Sequence, residues 1–403
     1  MLNIFLKDFK KKNRNDYFFA EYELGTEKKN LKDLSLSLAI GQSIGNPDVR
    51  NKWETSSLVE DHSIYILEDE KKLENLKKGA LTFAFPLRNI DWKGDGISQL
   101  LCTLMGGQLD INGFDKCRLT DLEIPSIILK TFLGPKYGIS GIRKKLSKEN
   151  TSKPLVGGIV KPKTGLSVNQ LLDMVKMLVD SGLDFIKEDE IMSNPDCCPL
   201  IERVEKISNY LEKLPKKPIY FFCINSDPIE ILNRVNLVAG NGDNGVHVNF
   251  WGGLGLYRSI RNLNKNIMIH FQKSGDKILT YDKNAFSMSW KVICKIAAMS
   301  GVDTIHAGMY GGYLSDNEND LRSNLDILQK NNILPTLSCG VHPGLVELLH
   351  KKFGDDIILV SGGAIHGHPN GTFQGAKAMV QAANYLPGKE YDMAIKTWGK
   401  KDA

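Results

Sequence analysis

From Pro154 to the C-terminus, short apolar runs alternate with helix-spaced stretches, and this alternation constrains the fold more than any other feature. The runs are "PLVGGIV", "DFIKED", "PIYFFCI", "GVHVNF", "IMIHF", "DTIHAG", "LPTLSCG" and "IILVSGG". Between them lie segments such as "VNQLLDMVKMLVDSG" and "NAFSMSWKVICKIAAMSG", whose apolar residues recur at helical spacing. Strands that read as near-continuous apolar runs are buried on both faces, as parallel strands covered by helices are. Eight of them with intervening helices meet the requirement for an α/β fold built as a parallel (β/α)8 barrel. The preceding residues follow another rhythm. "DYFFAEYEL" alternates like a half-exposed strand, "LKDLSLSLAIGQSIG" has helical spacing, and "DHSIYILED" and "ALTFAFPL" return to strand composition. The expected organisation is an α+β domain over residues 1–145 and a barrel over 146–403.

Composition narrows the class of function. A chain of 403 residues that is 42% hydrophobic and 25% charged can bury a large core. Its 52 basic and 47 acidic residues leave +5, much of it in the lysine-rich ends "FLKDFKKKNR" and "KTWGKKDA", so solvated termini are expected rather than a nucleic-acid surface. No run approaches the roughly 20 apolar residues of a membrane span, and no signal-peptide core opens the chain. Seven cysteines without a CxxC pair fit a reducing compartment, so the expected location is the cytoplasm, and the adjacent Cys197 and Cys198 are expected to be packing residues.

In a parallel barrel the chemistry gathers at the carboxyl ends of the strands. Here those ends carry Lys161 and Lys163, then Lys187, Asp189 and Glu190, then Asn225, His270, His306, Ser338 with Gly340, and Gly362 with Gly363. Two carboxylates one position apart suit a hard divalent ion such as Mg²⁺, which prefers oxygen ligands. A lysine ammonium is no ligand for such an ion and would instead neutralise the acids, so the residues alone give a salt-bridged Lys187.

Longer motifs add to this reading. "GGIVKPKTGLS" followed by "GLDFIKEDE" resembles the paired signatures of the RuBisCO large-chain family, and "TIHAGMYGGYL", "LPTLSCGVHPG" and "GDDIILVSGGAIHGHPNG" resemble further family segments in the same order. The likeness spans about 150 to 375, and the first third looks more loosely like the family's ferredoxin-like α+β small domain. The resemblance implies that Lys187 is N6-carboxylated by carbon dioxide and holds Mg²⁺ together with Asp189 and Glu190. It implies proton transfer by Lys161 with Lys163 in support, active-site roles for His270 and His306, and a phosphate cradle formed by Ser338, Gly340, Gly362 and Gly363. The base that takes the α-proton stays open between the Lys187 carbamate and a small-domain lysine, for which Lys116 falls near the matching place and Lys136 in a shared segment. His342 and His366 either tune specificity beside the cradle or cap local turns.

Departures from the carboxylases are informative. They place a lysine where Tyr313 stands and an arginine where Phe271 follows His270, with Lys273 two residues further on, and "GQSIGNPDV" lacks their glutamate and threonine-tryptophan pair. The expectation is therefore a RuBisCO-like protein that enolises, isomerises or decarboxylates a phosphorylated keto compound through a metal-stabilised enolate without fixing carbon dioxide. The 2,3-diketo-5-methylthiopentyl-1-phosphate enolases are one such type. The alternatives are a true carboxylase and a non-catalytic binder of phosphorylated metabolites. By the same resemblance the active unit is a homodimer or a multiple of dimers.

Overall fold

The computed structural model describes residues 4–46, 49, 51–111, 113–242 and 244–401. They divide into two compact units, one of residues 1–132 and 275–299, the other of residues 133–274 and 300–403. Residues 133–145 and 275–299 thus stand on the other side of this division from a boundary at 145.

The first unit is a five-stranded mixed sheet. Strands β1 (Tyr17–Gly25), β2 (Tyr65–Ile66), β3 (Lys78–Pro86) and β4 (Lys116–Glu123) run antiparallel in the order β4-β1-β3-β2, with helices Leu31–Gly41 and Gly96–Leu104 in the β1–β2 and β3–β4 connections. This is the βαββαβ ferredoxin-like arrangement. As a central strand, β1 is more buried than its alternating sequence suggests, because both of its edges are paired and aromatic residues such as Phe18, Tyr22, Phe83 and Phe85 pack about it. Pro47 and Asp48 of "GQSIGNPDV" lie outside the described residues.

The second unit is a closed parallel barrel. Its strands are β5 (Leu155–Ile159), β6 (Phe185–Lys187), β7 (Ile219–Cys223), β8 (Gly245–Asn249) and β9 (Met268–Gln272). After β10 (Phe286–Met288) come β11 (Thr304–Gly308), β12 (Leu334–Leu337) and β13 (Ile358–Ser361), the last pairing back onto β5. β10 belongs to the sheet, where it pairs in parallel with β4. It occupies the start of "NAFSMSWKVICKIAAMSG", and only Trp290–Ser300 is helical.

The floor of the barrel is filled by Leu155, Phe185, Ile219, Phe221, Met268, Leu334, Ile358 and Val360, plugged by Ile142 and Leu146 at the end of helix Gly138–Lys145. That packing, with the Arg143 bonds to Asp356 and to the carbonyl of Asp355, explains why residues 138–145 count with the barrel. Large rings need small neighbours in such a core. A Cβ on Gly157 would meet Phe185 at 2.9 Å, and one on Gly245 would meet the Phe221 ring at 2.5 Å. The helix after β5 starts at a capping box, Ser167 with Gln170, so its first turn is satisfied locally before any packing. Among the described residues no helix is long and apolar enough to cross a membrane.

Candidate active site

Side chains alternate between the barrel interior and the helical layer along each strand. On β6 this turns Phe185 and Lys187 inward and Glu188 outward, where Arg203 of helix Leu200–Glu212 meets it at 2.9 Å. Glu188 also accepts from the Tyr220 hydroxyl at 3.1 Å and the Cys223 N–H at 2.7 Å. Of the four acids in "DFIKEDE", Glu188 therefore braces the strand end from behind, and Asp184 accepts from the Val156 N–H and pairs with Lys148. Asp189 and Glu190 remain beside Lys187.

Lys187 is 0% exposed, and its Nζ donates to the carbonyl of Glu188 at 3.1 Å. Burial pushes its pKa below the ordinary lysine value, against the opposing pull of Glu190 and Asp189. The neutral amine is correspondingly favoured. Asp189 is buried and takes a close ion pair from Lys161. Glu190 accepts from Ser274 Oγ at 2.9 Å, which Gln272 contacts at 2.6 Å, while its carbonyl accepts from Asn225 at 2.6 Å. Among the described residues no three His, Cys, Asp or Glu side chains converge as a ready-made metal site. Asp189, Glu190 and an anionic oxygen on Lys187 would together supply the hard donor set that Mg²⁺ takes, so these residues fit such an ion.

Three imidazoles line the interior on β8, β9 and β11. His270 contacts Thr304 Oγ1 at 2.7 Å, its ring centre lies 4.6 Å from that of His306, and His306 Nδ1 contacts Ser338 Oγ at 3.0 Å. His247, on β8, completes the row 6.3 Å from His270. Burial pushes all three pKa values well below the ordinary imidazole, with Lys187 adding to each, so they stand neutral. His247 escaped the sequence reading because it lies inside an apolar run, two residues short of the strand end. Its flanking valines were the available signal. Gln272 and Ser274 were missed because nothing local links them to Glu190.

The glycine turns close the ring. A Cβ on Gly362 would come within 3.3 Å of Lys161 Cε, so the lysine stem passes over that turn. Gly340 has φ +109, and the loop with Tyr313 packs on it. Lys163 is exposed beyond the rim. Lys116 lies on β4 in the first unit, ion-paired to Glu23 at 2.7 Å. Lys136 reaches the carbonyl of Lys265, ahead of β9, which puts it at the amino ends of the strands and away from the rim. His366 bonds the Ile159 carbonyl at the end of β5 at 2.9 Å and Thr372 at 3.2 Å, and His342 is the half-buried N-cap residue of helix Pro343–Phe353. Phe271 is turned to the helical layer and stacks on Tyr257 at 4.3 Å, so it does not line the interior. Cys197 and Cys198 are free thiols, one exposed and one buried.

Against known proteins, the family described as ribulose bisphosphate carboxylase large chain, catalytic domain, matches residues 138–400. The chain belongs to this family. A 3-oxo-isoapionate-4-phosphate decarboxylase of Rhizobium etli is 30% identical over 324 residues, covering 76% of this chain and 75% of that protein. A ribulose bisphosphate carboxylase of Archaeoglobus fulgidus is 29% identical over 342 residues, covering 75% and 76%. The octameric ribulose-1,5-bisphosphate carboxylase/oxygenase of Pyrococcus horikoshii shares the fold with a TM-score of 0.88 at 23% identity, over 100% of this chain and 97% of that one. A decarboxylase and a carboxylase are similar to almost the same degree, so membership of the family alone does not select the reaction.

Proposed function

We propose that this protein is a Mg²⁺-dependent enolase, isomerase or decarboxylase of a singly phosphorylated keto compound, acting without fixation of carbon dioxide. The observation that carries the reading is the fully buried Lys187, held toward its neutral form beside Asp189 and Glu190. In this reading the neutral amine would bond to the carbon of carbon dioxide and release one proton, and the resulting anionic carboxyl-lysine, Asp189 and Glu190 would be the residues that hold Mg²⁺. When bound, the ion supplies fixed positive charge that acidifies the α-proton of a ketone. Ser274 and Gln272 keep Glu190 oriented, and the buried pairing of Glu188 with Arg203 holds the backbone between the ligands. Lys161 would hold a proton beside the ketone. The backbone N–H groups around Gly340 and Gly362–Gly363 would take the phosphate.

A second reading, a true carboxylase, is favoured by the similarity to the Archaeoglobus fulgidus protein. Tyr313 speaks against it, since its exposed phenol offers no cation on the loop after β11. A homodimer, or a multiple of dimers, is our reading of the assembly, supported by the octamer named for the Pyrococcus horikoshii enzyme. The test is deuterium uptake from D₂O into singly phosphorylated ketones with Mg²⁺ and bicarbonate. Exchange that disappears in Lys187→Ala is expected. Exchange that persists in Lys187→Ala overturns the role of the lysine, and stable incorporation of labelled bicarbonate into product overturns the choice against carboxylation.

A further inference from the structure

A phenol, an imidazole and a carboxylate meet at the other end of the barrel from the polar rim. Asp355 stands between helix Pro343–Phe353 and β13, which places it at the amino ends of the strands. His350, in the last turn of that helix, reaches Asp355 Oδ1 with Nε2 at 2.6 Å and the Tyr385 hydroxyl with Nδ1 at 2.5 Å. A carboxylate only accepts, so in the neutral imidazole Nε2 carries the hydrogen and Nδ1 is left to accept from the phenol. The three groups thus stand in the order of a nucleophile, its general base and the group that orients the base.

Tyr385 follows helix Thr372–Asn384 with φ +55, a left-handed position that glycine fills without strain, so ending the helix does not by itself require a tyrosine. The tyrosine is 42% exposed, which leaves its ring open to a reagent from solvent, while the imidazole behind it is only 15% exposed. Burial and the Glu347 carboxylate raise the phenol's pKa above the ordinary tyrosine value, with Asp355 adding and Lys351 opposing. Little free phenolate forms near neutrality, and attack by this oxygen depends on His350 taking the proton.

The surroundings select the electrophile. Two helices end here, Pro343–Phe353 and Thr372–Asn384, and helix C-termini carry partial negative charge. The charged groups facing the phenol and imidazole are Glu347, Asp355, Lys351 and Lys153. Lys351 is paired with Glu347 at 2.9 Å, and Lys153 donates to the Asn384 carbonyl at 2.7 Å and lies 5.9 Å from the Tyr385 ring centre. A phosphoryl donor would gain no net attraction from this balance. The adjacent Leu386, 68% exposed, offers apolar surface to an uncharged acyl group.

We propose that Tyr385 is an acyl-accepting nucleophile, a modification site for uncharged esters and thioesters, with His350 as its general base and Asp355 as the positioning residue of that base. The phenol oxygen bonds to the acyl carbon as its proton passes to His350 Nδ1. The bond from that carbon to the leaving oxygen or sulfur breaks with its electron pair, and His350 returns the proton to the leaving group. The site shares no residue with the candidate active site, so it stands or falls independently of Lys187.

The test treats the intact protein with p-nitrophenyl acetate and follows acetylation peptide by peptide. Tyr281 is the control, since it is 38% exposed and has Lys277 5.4 Å from its ring centre. Tyr385 is expected to acetylate about 10²-fold faster than Tyr281, the lower end of general-base catalysis. His350→Gln is expected to remove that advantage and Asp355→Asn to reduce it about tenfold. In the unsubstituted protein the rate at Tyr385 is expected to level off above about pH 8, where that of a free phenol still rises tenfold per pH unit. Equal rates at the two tyrosines, an advantage that survives His350→Gln, or a rate that keeps rising as a free phenol's does would overturn the proposal. The pH profile needs no variant, so it decides even where His350→Gln fails to fold. Acetyl phosphate, an anionic donor of the same group, is expected to show no preference for Tyr385, and an equal preference would overturn the choice of an uncharged donor.

Discussion

Breaking the buried pair of Glu188 and Arg203 from one side is expected to destabilise the barrel far more than neutralising both members. Both side chains are 0% exposed at a separation of 2.9 Å. Arg203 also donates to the carbonyls of Cys198 at 2.8 Å, Cys223 at 3.0 Å and Ser193. Arg203→Met leaves a buried carboxylate with only the Tyr220 hydroxyl and the Cys223 N–H, and takes a donor from each of three carbonyls. Removing one partner of such a pair costs about 3–5 kcal/mol. The carbonyls add about 1 kcal/mol, since the loss of a typical hydrogen bond is small when the acceptor has other options. A total near 5 kcal/mol lowers the barrel's melting temperature by about 10 °C at roughly 2 °C per kcal/mol. The double variant Glu188→Gln with Arg203→Met keeps acceptor capacity but removes the stranded charge, and is expected to recover about half of the loss. Near-UV circular dichroism melts and urea titrations of Arg203→Met, Glu188→Gln and the double variant supply the cycle. A fall of less than about 2 °C in Arg203→Met, or a double variant no more stable than the single, would refute the account of this pair as the brace behind the candidate metal ligands.

Three further outcomes are expected. His247, His270 and His306 have folded pKa values pushed well below 6.5, mainly by burial, so between those values and 6.5 the unfolded chain binds protons that the folded one does not. Stability then rises with pH across that window and is lost as pH falls through it; urea midpoints are expected to drop from pH 7.5 to 5, less steeply in His247→Leu, and a pH-independent midpoint would contradict this. Lys187→Met replaces a buried amine by an apolar chain of similar length, so urea unfolding should show unchanged or higher stability while deuterium exchange falls by a factor of about 10² or more; a variant that unfolds would show the lysine to be structural. Cys339→Gly relieves the left-handed backbone and is expected to raise the melting temperature by about 2 °C for about 1 kcal/mol, and a lowered melting temperature would mean the thiol contributes more packing than the strain it carries.

Much of this was present in the chain itself. The eight apolar runs specify a parallel barrel because strands covered on both faces have few other ways to bury them. Once the barrel is granted, the polar residues that end those runs must crowd one rim, and the burial of Lys187 follows from its place at the end of β6. Only the tertiary structure decided which neighbour faces which way. Glu188 and Phe271 look like site residues by position, yet strand parity turns both to the helical layer, and an apolar run does not reveal its parity because both of its faces are apolar. His247, Gln272 and Ser274 enter the site for the same reason in reverse. The bond from Ser274 to Glu190 spans 84 positions of chain, and the parallel pairing of β10 with β4 is more remote still. Local propensity and spacing act over a few residues, whereas closure of the barrel sets the register between strands, and register determines which side chains meet.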